Sequence, residues 1–113
     1  MSDNILEHVK IQCGVEPEST AFDDEIKQDI NLALTLAYQL GGISETASVT
    51  GSENWDDLSW PSYMDKELVK SYISLKVRHH LFDPSASGTL AETSNKVLSD
   101  LEYRISLLTV INQ

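Results

Sequence analysis

The stretch Leu68-Val69-Lys70-Ser71-Tyr72-Ile73-Ser74-Leu75-Lys76-Val77 decides the fold. Leu68, Tyr72 and Leu75 recur at helical spacing, and Val69, Ile73 and Val77 form a neighbouring row. Two adjacent rows make a broad apolar face, which predicts the central helix of a bundle. This helix spans 63–82, starting just after Ser62. Asp83-Pro84 stops it, because the residue before a proline is pushed out of the helical region.

Three further helices follow from the same pattern. One covers 4–13, with Ile5, Val9 and Cys13 on one row. A second covers 20–40: Thr20 is its expected cap, acids sit at its positive end, and its stripe is Ile26, Ile30, Ala33, Leu34 and Ala37. Gly41-Gly42 supplies its left-handed stop. A fourth covers 89–108, opened by the capping-box pair Thr89 and Glu92, with Leu90, Val97, Leu101, Ile105 and Leu108 inward. The apolar tail 107–113 reads as core, as a short edge strand or as a contact surface. Residues 43–62 carry neither helical nor strand period and read as a long loop, a length that is usually functional or mobile. The expected architecture is all-α, a single domain over 1–113 with four helices.

The chain has 113 residues, with eight Lys and Arg against eighteen Asp and Glu, a net charge of −10. Residues 1–60 hold twelve of the acids and only Lys10 and Lys27 as bases, whereas 61–113 hold six of each, so the whole deficit lies in the first half. Such a surface argues against wrapping nucleic acid through phosphate contacts, which need clustered cations. No apolar run approaches the length of a membrane span. A single cysteine, Cys13, leaves no internal disulfide and fits synthesis in a reducing compartment.

Chemistry-bearing constellations are lacking. His79 and His80 are adjacent, so on a helix they diverge by about 100° and cannot share one metal. The acids at 23–25 and 53–57 lack the alternating oxygens, glycine and closing glutamate of a calcium loop. Cys13 falls on an apolar row, and no nucleophile elbow, phosphate loop or dinucleotide fingerprint occurs. The sequence predicts no enzyme, no cofactor and no metal. Trp55, Trp60 and Tyr63 around the long loop are either interface anchors or aromatics folded inward to close the bundle.

The segment running from Val69 through Arg78, followed by Leu81-Phe82-Asp83-Pro84-Ser85, resembles small head–tail connector (head-completion or adaptor) proteins of long-tailed bacteriophages, in the type found in phages and prophages of Gram-positive bacteria. An acidic second helix opening at Asp23-Asp24-Glu25-Ile26, a tryptophan-containing loop and a last helix carrying Asp100-Leu101-Glu102-Tyr103-Arg104-Ile105 extend the likeness over most of the chain. The sequence departs from that pattern at His80, Ser85 and Ala86.

The resemblance implies a structural virion protein of the neck, assembled in the bacterial host cytoplasm. It implies a ring of about twelve copies beneath the portal, closed through two different complementary patches per subunit. The ring extends the DNA channel and docks the next neck or tail-completion protein. DNA passes without specific binding, repelled by an acidic lining, and no membrane is involved. Lys76, Arg78, Phe82, Asp83, Pro84, Trp55 and Trp60 are the expected subunit or portal contacts, and Asp23, Asp24, Glu25 and Asp29 the expected acidic face. Lys76 or Arg78 pairs with one of those acids of the next subunit, or else with Asp83 of its own chain, or stays exposed. The loop and the apolar tail are expected as arms that order on binding. The competing reading is an acidic helical binding module, an inhibitor or DNA mimic, filling a basic site on another protein.

Overall fold

The computed structural model describes the backbone of residues 3–81 and 88–112 and the side chains of 3–81 and 95–112. Four helices follow in order: α1 (Ile5–Gln12), α2 (Asp23–Leu40), α3 (Lys66–Leu81) and α4 (Gly88–Ile111), with one 3-10 turn at Trp55–Asp57. No strand occurs among the described residues beyond a single bridge between Asn4 and Asn54. The fold is all-α.

Helix α3 is the hub, in contact with α1, α2 and α4. Its Val69, Tyr72, Ile73 and Val77 are fully buried, while Leu68 and Leu75 pack half-buried at the margin. The whole predicted α2 stripe is buried without residual exposure. Each of Ile26, Ile30 and Leu34 contributes roughly 1.5–3 kcal/mol relative to exposure, so the stripe alone anchors α2. From α1, Ile5, Leu6 and Val9 enter the same core, and Cys13 lies half-buried at the helix end.

Three local expectations are corrected. Helix α2 starts at Asp23, not Thr20, and its N-cap Phe22 makes no side-chain cap. The preceding turn is fixed instead by Lys10, whose ammonium donates to the carbonyls of Pro17 and Ser19. Helix α3 starts at Lys66 because residues 61–64 form a turn, closed by the Met64 N–H on the Pro61 carbonyl. The cap is Asp65, which accepts from the Glu67 N–H at 3.0 Å. On α4, Val97 is 44% exposed and Leu98 takes the inward position with Leu101, Ile105 and Leu108, a three-four-three spacing. Leu90 and the Thr89–Glu92 pair lie outside the described side chains, and Phe82, Asp83, Pro84, Ser85 and Ala86 lie outside the described residues.

The 43–62 loop is not a free arm. Ile43, Val49, Trp55 and Leu58 are buried in the common core. The Asn31 carboxamide on α2 holds it from within, accepting from the Val49 N–H at 2.6 Å and donating to the Val49 carbonyl. The Ser44 N–H closes the loop on the Ser59 carbonyl at 2.7 Å. The apolar tail is likewise helical through Ile111 and not an edge strand.

Candidate functional site

Helix α1 and the long loop lock together first. The Asn4 side chain caps α1 by accepting from the Glu7 N–H at 2.9 Å, and donates to the Gly51 carbonyl. The Ile5 N–H donates to the Glu53 carbonyl and the Trp55 N–H to the Asp3 carbonyl, at 3.0 and 2.9 Å. Trp55 thereby enters the core, 1% exposed, with its indole N–H on His8 Nδ1 at 2.8 Å and the two rings edge-on. His8 then carries its proton on Nε2. Burial, followed by the positive charge of Lys70, holds the His8 pKa below its ordinary value. Trp60 donates to the Trp55 carbonyl at 2.8 Å and stays half-buried. The structure thus turns Trp55 inward and leaves Trp60 and Tyr63 at the margin. Lys70 and Lys66 lie 5.8 Å from the ring centres of Trp55 and Trp60, at cation–π distance.

The acidic set divides by partner. Asp23 sits 2.8 Å from the Lys10 ammonium, outside hydrogen-bonding angles, so the contact is ionic. Asp24 meets Lys27 at 3.5 Å while its side chain remains 91% exposed. Asp29 meets His80 across the α2–α3 boundary. Glu25 is exposed. These contacts engage Asp23 and Asp29 within their own chain and leave the carboxylates of Asp24 and Glu25 facing outward.

Lys76 and Arg78 face different ways, as two positions about 200° apart on a helix must. Lys76 borders a pocket of about 280 Å³ with Asp29, Leu32, His79 and His80, between α2, α3 and α4. Arg78 borders a larger groove, about 480 Å³, between α1, α3 and α4. His8, Lys70, Leu75, Val97 and Leu101 line it together with Arg78. The sequence did not single out this groove, because it depends on α1 docking beside α3. Among the described residues no cluster of His, Cys, Asp and Glu is arranged to hold a metal, and no helix is long and apolar enough to cross a membrane.

Exposed apolar side chains gather at the end of α4, where Tyr103, Leu107, Val110 and Ile111 are each at least 40% exposed. Such a stripe on a chain this charged suits contact with another protein. Residues 5–110 match the family described as Phage connector protein. Neither curated proteins nor solved structures gave a match.

Proposed function

The chain belongs to the phage connector protein family, and we propose that it acts as one subunit of a ring beneath the portal of a tailed phage. The family assignment, which spans nearly the entire chain, carries this reading, and it gives the protein a structural role in the neck of the virion. In the proposed assembly the chain is a single domain that leaves the host cytoplasm only as part of the particle.

A ring of about twelve copies would gather on the order of −120 formal charges around one channel, so the duplex would be repelled from the wall and slide through. The outward carboxylates of Asp24 and Glu25 belong to this acidic surface. Ring closure joins two different patches on each subunit. Arg78, on the groove side of α3, is our choice for one of them, with Phe82, Asp83 and Pro84 following it closely in sequence and Trp60 as a further contact. The exposed stripe at the end of α4 is a docking surface for the portal or for the next neck protein.

Negative-stain microscopy of the protein mixed with its cognate portal tests this reading. Rings of uniform size seated on the portal are expected, and Arg78→Glu should abolish them while helical content by circular dichroism stays unchanged. A protein that remains monomeric at every concentration and ignores the portal overturns the ring. Tight, salt-sensitive binding of that monomer to a basic enzyme would favour the acidic binding module.

A further inference from the structure

The last turns of α4 are apolar on the side that faces away from the molecule. Ile105, 0% exposed, marks the inward line of the helix. At about 100° per residue, Tyr103, Leu107, Val110 and Ile111 all fall within about 60° of the line opposite it. They are 64%, 40%, 65% and 67% exposed. Earlier in the helix the same outward line carries Lys96 and Asp100, both exposed, so the face changes character only from Tyr103 onward. That point is nine residues past 94, about 14 Å along the axis, and clear of the side chains at the head of α4.

Charge points to what covers the stripe. Residues 105–113 contain no Asp, Glu, Lys, Arg or His, and neither do residues 30–44. The fold joins these two stretches. The Thr109 hydroxyl donates to the Leu40 carbonyl at 3.1 Å, and a Cβ on Gly42 would touch the Ile105 side chain. The result is an uncharged corner on a chain of net charge −10. A basic partner would be drawn to the acids, whereas a like-charged copy is repelled by them and can approach at such a corner. The stripe is also its own complement. With two α4 helices antiparallel and Leu107 on Leu107, Tyr103 of each copy meets Ile111 of the other, and the helix dipoles oppose.

We propose that the outward face of α4 from Tyr103 to Ile111 pairs with the same face of a second copy in a two-fold, antiparallel dimer. A contact centred on four side chains falls short of the roughly 800 Å² per partner of a standard stable interface, so the pair is reversible. It closes at two copies and leaves the ring contacts untouched, so it stands without the ring reading. Docking of the portal or the next neck protein on this stripe would compete with it.

Disulfide trapping in the full chain, with Cys13→Ser as background, tests the dimer. Leu107→Cys alone should oxidise to a covalent dimer and to nothing larger. Val97→Cys, 44% exposed on another side of the same helix, should give roughly tenfold less. Sedimentation equilibrium should show a dimer that Val110→Asp with Ile111→Asp weakens by roughly tenfold or more. Circular dichroism should stay unchanged, because both side chains face solvent. A monomer at every concentration overturns the dimer. A dimer that survives the two aspartates, or does not cross-link at position 107, is built by another surface and overturns it equally. Rings seated on the portal from a chain that is monomeric when free remove the dimer and leave the ring reading standing. A dimer that cross-links at position 107 while the chain ignores the portal keeps the dimer and removes the ring reading.

Discussion

The indole N–H of Trp55 donates to Nδ1 of His8 across 47 positions of sequence, and this one bond requires a neutral imidazole. Because the folded-state pKa of His8 lies below its ordinary 6.5, the unfolded chain takes up the proton first. The stabilisation is therefore complete above 6.5 and is lost as the pH falls below it. Urea midpoints of the wild type should drop between about pH 7.5 and about pH 5.5. His8→Gln should start lower and lose less over the same interval. An equal pH response in the two proteins would show that the bond does not couple to stability.

Glu53 governs a lower window. Its carboxylate accepts from the Thr50 hydroxyl at 2.7 Å and from the N–H groups of Thr50 and Gly51 at 2.8 and 3.0 Å. The Thr50 hydroxyl is the main cause holding its pKa down to about 2. A depressed carboxylate stabilises the fold above its ordinary value of 4.5, and that contribution disappears as the pH falls through about 2. Glu53→Gln should cost about 1 kcal/mol at neutral pH, a modest figure because water screens the site. The difference from wild type in thermal unfolding should vanish toward pH 2.

Sequence pattern carried the helical frame because burial follows the 3.6-residue period wherever apolar residues are sparse enough to leave one choice. Ile26, Ile30, Ala33, Leu34 and Ala37 left only one face for α2, and all five are buried. Val97 and Leu98 are adjacent and equally apolar, so spacing alone could not select the inward one. The ordered loop was hidden for a different reason. Its anchors, Asn31 to Val49 and His8 to Trp55, are polar contacts between distant residues that leave no periodic trace. The groove at Arg78 was hidden for the same cause, since it exists only once α1 and α4 flank α3.

Lys10 makes a test of the α1–α2 corner. Its side chain is 4% exposed, and it holds Asp23 and two carbonyls together. Lys10→Met keeps the apolar stem but leaves a partly buried carboxylate and two carbonyls without their cation. Breaking a buried pair from one side costs about 3–5 kcal/mol, and the 22% exposure of Asp23 puts the expected loss near the lower end, about 3 kcal/mol. Lys10→Met combined with Asp23→Asn should recover part of it by chemical denaturation. A loss below about 1 kcal/mol would mean that water replaces the ammonium without cost.

The end of α2 and the end of α4 are fitted to each other through a residue that has no side chain. Gly41 closes α2 at φ +91°, a left-handed conformation that costs other residues about 1–2 kcal/mol. A Cβ there would also clash with Thr109 Oγ1, the hydroxyl that donates to the Leu40 carbonyl at 3.1 Å. Gly41→Ala therefore suffers twice, from backbone strain and from displacing the group that satisfies the helix terminus, for an expected loss of about 3–4 kcal/mol. Thr109→Ala removes the clash but sacrifices the hydroxyl, at about 1 kcal/mol. The double variant should then be less destabilised than the sum of the singles by at least 1 kcal/mol in a denaturation cycle. Strict additivity would show that strain at Gly41 acts alone and that α2 and α4 do not meet through Thr109.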